Sequence, residues 1–445
     1  MGIIISSLTV GGIKNLKEPV TIDFMNYKAD RTEGGTYKNP KAFKSVTAIY
    51  GPNGAGKSAI VHGLEIFQYI IRGTRFLIDF PKYTEALMNR KTNLISICVE
   101  YFIVNNKINK SDEKLEKYSY LLVLEKRDRL SDIVIKKEEC LKLKPQKEVL
   151  FVIENGEITT CNLNEHIKSK IRNKLLTRSI ADVLMYDLRY NQELEKHHLS
   201  DITRFLYPVG ELVLNLSFHI EESDAHSKYL TPKTWNKMQI SNDSVIDEIS
   251  TAVDKNYFVV SQGNLGFFRK LIKNATKFMK LFKTDLENIE TIEKVRGTEY
   301  LVSLEFFYQD GYKIDKELES SGIKKLFELF LVFENDLRQG KVLFIDELDS
   351  AINDVYLMKL IEYFADYCKG QIIFTTHNTS PMDMMNTQDR KDNCQILFLN
   401  SKPELVPWKQ VGSFSPSSLY KKGQIKGLPF SLDAWDFIDI FKESK

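Results

Sequence analysis

Gly51-Pro-Asn-Gly-Ala-Gly-Lys-Ser58 is the stretch on which the fold turns. It fits G-x-x-x-x-G-K-[ST] at every position, and its flanks supply the context that the pattern needs. Val46–Tyr50 before it is a compact apolar run suited to a buried strand, and Lys57–Ile71 after it has helical periodicity. A strand that turns through glycines into a helix aims its backbone N–H groups at one point, where the helix N-terminus adds positive potential. Such a nest accepts a polyphosphate. Asn53, Gly54, Ala55, Gly56, Lys57, Ser58 and Ala59 are therefore the candidate ATP-binding residues. The Lys57 side chain reaches the β- and γ-phosphates, and the Ser58 hydroxyl is a ligand for Mg²⁺.

Three further segments acquire meaning from the first. Lys341-Val-Leu-Phe-Ile-Asp-Glu347 is an apolar strand ending in two acids. Open α/β sheets bind ligands at the carboxyl ends of their strands, so Asp346 is a candidate Mg²⁺ ligand and Glu347 a candidate base for the attacking water. Gln371-Ile-Ile-Phe-Thr-Thr-His-Asn378 is a second such strand, ending in His377, and is expected beside that of Asp346. Glu319-Ser-Ser-Gly-Ile-Lys324 precedes an amphipathic helix expected over residues 325–337, and its small residues open an anion-binding helix start. Read alone, that segment is an ordinary serine cap.

Composition bounds the remaining classes. A chain of 445 residues exceeds the size at which one core stops growing, so two lobes are expected. With 43% apolar and 27% charged residues it reads as globular, and a net charge of +2 gives no global attraction for nucleic acid. Cys98, Cys140, Cys161, Cys368 and Cys394 never fall at C-x-x-C spacing, which argues against structural zinc and fits a reducing, cytoplasmic setting. No apolar run has the length of a membrane span, so no membrane partner is expected. The first apolar run, residues 3–10, reads as a strand. Further strands are expected at 19–24, 94–104, 118–124 and 133–136, then again at 300–308, 342–345, 371–375 and 395–399. Residues 160–290 read as mostly helical, without the sustained heptad of a long coiled coil. On one helix, Phe268, Leu271, Ile272, Ala275, Phe278, Met279 and Phe282 share a face and Lys270, Lys273, Lys277 and Lys280 another. The lysines read as a solvated face or a docking surface for nucleic acid or a partner. His197-His198 is discarded as a metal pair, because helical neighbours do not share a face.

The four motifs in this order resemble the ABC-type ATPase superclass that includes RecF, SMC and the OLD-family proteins. They are most similar to the stand-alone "AAA family" ATPases of bacterial defence loci, of the RloA and AbiL type. The resemblance covers roughly residues 1–105 and 295–435. It implies that Ser320, Ser321 and Gly322 contact the γ-phosphate held by a second copy, that Asp349 is a D-loop residue at the dimer interface, and that His377 is the switch histidine. Two departures stand out: the signature reads Ser-Ser-Gly-Ile, and Asn353 occupies a position where the family often has histidine. Neither Gln192 nor Gln262 has the context of a Q-loop glutamine.

The expected architecture is an α/β P-loop ABC-type ATPase head, a mixed sheet with an antiparallel subdomain and an inserted helical domain. Its parts are residues 1–159 with the P-loop, the helical insertion 160–291, and 292–445 with the signature, acids and histidine. The expected chemistry is ATP hydrolysis with Mg²⁺, with Lys57, Glu347 and His377 as catalytic residues, in an ATP-sandwich homodimer that could assemble further. By resemblance the role is antiviral, abortive-infection defence, with a separate effector protein, a nuclease by class. The rival is a DNA-repair or DNA-end-binding ATPase of the RecF kind.

Overall fold

The computed structural model describes residues 2–26, 43–72, 75–104, 115–127, 133–186, 199–220, 257–400, 402–409 and 413–425; Gln192, His197 and His198 lie outside them. The chain opens with β1 (Gly2–Gly11) and β2 (Val20–Asp23), then β3 (Val46–Tyr50), which turns through the glycine loop into α1 (Lys57–Ile71). After α2 (Pro81–Leu87) comes a meander of β4 (Leu94–Val104), β5 (Glu116–Lys126), β6 (Ile133–Lys144), β7 (Glu148–Glu154) and β8 (Glu157–Cys161). With β1 and β2 these strands form a seven-stranded antiparallel sheet, ordered β2-β1-β4-β5-β6-β7-β8. Along β5 buried residues alternate with half-buried ones, the period-two pattern of a sheet with one covered face.

Helices α3 (Ile180–Tyr186) and α4 (Leu199–Asn215) lead to β9 (Leu216–His219). Then come β10 (Phe258–Ser261), α5 (Leu265–Lys280), β11 (Leu286–Arg296), β12 (Glu299–Tyr308) and β13 (Lys313–Asp315), with both β10 and β11 antiparallel to β12. Thereafter strand and helix alternate: α6 (Ser321–Val332), β14 (Val342–Ile345), α7 (Asp354–Tyr367), β15 (Gln371–Thr375), α8 (Ser380–Met385), β16 (Cys394–Leu399), β17 (Leu405–Pro407) and α9 (Pro416–Lys421). The six-stranded sheet runs β17-β16-β3-β15-β14-β9, with every neighbouring pair parallel except β16 and β17.

That sheet has two covered faces, which is why β3, β14 and β15 are buried at every residue and read as unbroken apolar runs. Val342, Phe344 and Ile373 face the core shared with α1 and the antiparallel sheet, while Leu343, Ile345, Ile372 and Phe374 face the core shared with α5 to α8. Helix α1 is buried nearly all round. Gln371 joins the two large sheets: its Oε1 accepts the Ile5 N–H at 2.6 Å and its Nε2 donates to Ile5 O at 3.0 Å, beside the bulge in β1. The architecture is a P-loop α/β fold, a mixed sheet covered on both faces and joined to an antiparallel sheet.

The helical reading of residues 160–290 needs correction at its described ends. Leu216–His219 is the edge strand of the parallel sheet, Phe258–Ser261 pairs with β12, and β11 already begins at Leu286. Ile180, Val183, Ile202, Val209 and Leu212 of α3 and α4 are buried in the core of α1, so these helices are woven into the nucleotide lobe. Four residues are too short a run to display a period, and Leu-Ser-Phe-His and Phe-Val-Val-Ser each border helical sequence. The described residues include no helix long and apolar enough to cross a membrane.

Candidate nucleotide site

Because β3, β9, β14 and β15 are parallel, their carboxyl ends open along one edge. This is where a sheet of this kind takes its ligand. The glycine loop leaves β3 there. Gly54 and Gly56 have φ of +76° and +107°, values that glycine alone adopts without strain. A Cβ on Gly56 would also lie 2.7 Å from Leu16 Cδ2, and one on Gly51 would lie 2.4 Å from Leu399 O. The loop is thus wrapped tightly from both sides. Ala55 N–H closes it on Pro52 O at 3.2 Å, and Lys57 Nζ donates to Gly51 O at 2.9 Å and Pro52 O at 3.3 Å. Lys57 is buried, and its pKa is lowered by that burial against the opposing pull of Asp346, Glu347 and Asp349. Gly56 caps α1 without a side chain and the first turn has no acid, so no side chain competes for the amides that open the helix. A glycine loop held in this form by Leu16 and Leu399, with the Lys57 ammonium bonded within it and a helix N-terminus behind it, fits a polyphosphate. Asn53 and Gly54 are exposed at the rim, while Ala55 and Ala59 are buried behind it.

The acids are organised by a residue that the motif reading passed over. Thr375 ends β15 with no exposure, and its Oγ1 donates to Asp346 Oδ1 at 2.6 Å while accepting the Glu347 N–H at 2.8 Å. One hydroxyl therefore sets both carboxylate-bearing residues. The Asp346 N–H donates to His219 O at 2.9 Å, so β9 carries the same strand end from its other side. Glu347 turns out of the strand at φ +50°, a left-handed conformation unusual for a residue with a side chain, and it is exposed. The only sequence signal for Thr375 was its place two residues before His377.

Asp349 and His377 meet directly. Asp349 Oδ2 accepts the His377 N–H at 3.1 Å and the Asn378 N–H at 3.0 Å, so one carboxylate oxygen holds the turn that carries the imidazole. Asn378 Nδ2 donates to Asp354 Oδ1 at 2.6 Å, which anchors the turn to α7. Burial lowers the His377 pKa below the ordinary histidine range, and the Lys57 ammonium lowers it further, against the carboxylates of Asp349, Glu347 and Asp346. That direction favours the neutral ring. Lys14 is a second residue missed from sequence. Its backbone is held at φ +47° by Leu87 O at 2.7 Å and by the Asn89 side-chain amide, and Asn15 Nδ2 donates to Gly54 O. The Lys14 side chain reaches solvent, yet desolvation by its neighbours lowers its pKa although Asp346, Glu65 and Glu347 pull it up.

The serine segment stands apart from this cluster in its hydrogen bonding. Ser320 caps α6, accepting the Ile323 N–H at 3.4 Å, and Ser320 and Ser321 are exposed. Gly322 is required by packing, since a Cβ there would lie 2.7 Å from Ala351 O in the loop after Glu347. The helix begins at Ser321, four residues before the expected start, and ends in a π-turn over Phe333–Leu337. Asn353 caps α7 through Val355 N–H at 3.0 Å, which is a structural task for the departure from histidine. On α5, Phe268, Leu271, Ile272, Ala275 and Met279 are buried while Lys270, Lys273, Lys277 and Lys280 are exposed. Gln262 lies in a short turn ahead of that helix, its N–H donating to Thr298 O at 3.3 Å.

Residues 214–383 match a family described as "AAA domain, putative AbiEii toxin, Type IV TA system". No curated protein matches the chain by sequence. Among solved structures it is similar to an Smc head bound to the C-winged helix domain of ScpA, with 13% identity, 94% of this chain and 99% of that one covered, and a TM-score of 0.43. It is also similar to a Pyrococcus furiosus Smc head bound to the C-terminal domain of ScpA, with 15% identity, coverage of 94% and 98%, and a TM-score of 0.40. A third is the SMC head domain from Thermotoga maritima, with 15% identity, coverage of 92% and 100%, and a TM-score of 0.32. Likeness at this level carries nothing about function.

Proposed function

We propose that the chain hydrolyses ATP in a sandwich homodimer and acts as sensor and scaffold in an abortive-infection type defence system, controlling a separate toxic effector, a nuclease by class. The observation that carries the ATPase half is the convergence of the Lys57–Ser58 loop, the Asp346–Glu347 pair joined by Thr375, and the His377 turn held by Asp349 on the carboxyl ends of neighbouring parallel strands. Lys57 orients and stabilises the β- and γ-phosphate oxygens. Glu347, exposed beside Asp346, accepts the proton of the attacking water. His377 offers a ring N–H to the γ-phosphate. Mg²⁺, when bound, offsets phosphate charge, and the Ser58 hydroxyl and the Asp346 carboxylate are hard oxygen ligands that suit it.

The dimer half rests on Ser320, Ser321 and Gly322. They open a helix at the surface, and none of the hydrogen bonds among the described residues joins them to the chain's own glycine loop. Their N–H groups suit an anion presented by a second copy. The defence half is supported by the family description that matches residues 214–383, which names an AbiEii toxin of a Type IV TA system. A DNA-binding ATPase of the RecF or SMC kind is the second reading, favoured by the exposed lysines of α5.

Glu347→Gln should bind ATP, fail to turn it over and accumulate as a dimer. Light scattering that gives one mass with and without ATP, together with no ATP-dependent crosslink across Ser321, would refute the shared site. Phage challenge of cells carrying this gene alone, with its neighbour, and with Lys57→Ala tests the role. Protection should need both genes and an intact Lys57, and full protection by this gene alone would put the effector inside this chain.

A further inference from the structure

Two buried polar atoms near the nucleotide site have no hydrogen-bond partner, and they are complementary. The first is the hydroxyl of Tyr50, the last residue of β3 and the one before Gly51; Tyr50 is fully buried. The second is Oδ1 of Asp349, whose other oxygen already holds the His377 and Asn378 N–H groups. One is a donor in search of an acceptor and the other is an acceptor in search of a donor. Native interiors rarely leave such groups unpaired, and where they do, the vacancy points to strain or function.

The backbone brings the two together. The Thr376 N–H donates to Ile49 O at 3.2 Å, and the Leu348 N–H donates to Thr375 O at 3.1 Å. Tyr50 and Asp349 each follow the residue that makes one of these bonds, so they flank the same end of β15 from opposite sides. Both neighbourhoods belong to one core, which includes Tyr50, Leu348, Ile352 and Met382. Burial raises the Tyr50 pKa well above the ordinary phenol value, and the charge of Asp349 is the next largest influence, ahead of Tyr420 and Asp383. The ring itself is held fast by Phe398, at 6.0 Å between centroids, and by Tyr420, at 5.9 Å. A rigid ring next to the glycine loop, with a free hydroxyl and a half-satisfied carboxylate within its field, is half of a latch.

We propose that Tyr50 is a positioning residue of the ATPase site, its hydroxyl donating to Asp349 Oδ1 when nucleotide closes the loop after β14. The bond would couple the strand that carries the glycine loop to the carboxylate that carries the His377 turn. Phosphate binding at one would then set the imidazole at the other. The inference rests on the ATPase reading above.

The test uses the full chain, with Tyr50→Phe, Asp349→Asn and the double variant, and with Lys57→Ala as control. Removing an unpaired buried hydroxyl should leave the melting temperature of the nucleotide-free protein unchanged or raised. ATP affinity should stay within about twofold of wild type, while kcat falls about tenfold, the scale of one bond to a charged group. The double variant should lose no more than Asp349→Asn alone, because both changes break one bond. Wild-type turnover by Tyr50→Phe, equal losses of affinity and kcat, or additive losses in the double variant would each overturn the latch. A wild-type chain that binds and hydrolyses ATP no better than Lys57→Ala would instead overturn the ATPase reading, and the latch with it.

Discussion

Thr375→Val keeps the shape of the side chain and deletes the hydroxyl that joins Asp346 to Glu347. Two bonds go: the donation to Asp346 Oδ1 at 2.6 Å and the acceptance of the Glu347 N–H at 2.8 Å. A hydrogen bond to a charged group contributes about 1.5–3 kcal/mol, and an orphaned buried N–H costs about 1–3 kcal/mol. Thr375 and Asp346 are buried, but Glu347 is exposed, so water can replace part of the second bond. The sum therefore falls toward its lower end, about 3 kcal/mol of stability. Urea unfolding should show this as a lower midpoint at an unchanged slope. Turnover should fall further than stability alone would explain. The Glu347 backbone sits at φ +50° with that N–H bond as its side-chain anchor, and a base released from its position loses roughly tenfold or more in kcat. Thr375→Ser restores the hydroxyl and should recover most of both losses. A valine variant within about 0.5 kcal/mol of wild type and with normal turnover would refute the claim that this hydroxyl sets the acids.

Gly56→Ala should abolish nucleotide binding and lower the melting temperature, since it meets a φ of +107° and Leu16 Cδ2 at 2.7 Å together; normal binding by isothermal titration would show the loop to be pliable. NMR titration of His377, assigned by loss of its signal in His377→Asn, should give a pKa below the ordinary histidine value. Lys57→Met should move it upward by removing a neighbouring positive charge, and an unmoved pKa would separate the two residues. Glu138, fully buried, accepts from the Tyr120 hydroxyl and from the Ile180 N–H at 3.0 Å, and burial pushes its pKa up to about 7. The folded state therefore holds this proton more tightly than the unfolded one, and the stability it contributes is lost as pH rises from the ordinary carboxylate value to about 7. The loss is about 3 kcal/mol, and Glu138→Gln should flatten that slope; an unchanged pH dependence of unfolding would contradict the assignment.

Much of the site was legible in one dimension because its chemistry is written in short contiguous words. Gly51 to Ser58 needs glycines at fixed places for its φ values, and Lys341 to Glu347 needs an apolar strand before its acids, so each word specifies its own local structure. The parallel order of β3, β15 and β14 followed from the alternation of strand and helix. What the words could not reveal was the side chains that join them. Thr375, Lys14 and Tyr50 carry no motif of their own, and each matters through a partner more than twenty residues distant or through a buried position that only the assembled sheet creates. The strand at Leu216–His219 was hidden for the same reason: four residues show no period, and their β-structure comes from the ladder offered by β14. Backbone geometry around glycine and the apolarity of a two-faced strand are local properties, readable from the sequence alone. Burial, pairing and the field at a carboxylate depend on groups brought together from distant positions, and for this protein only the tertiary structure decided them.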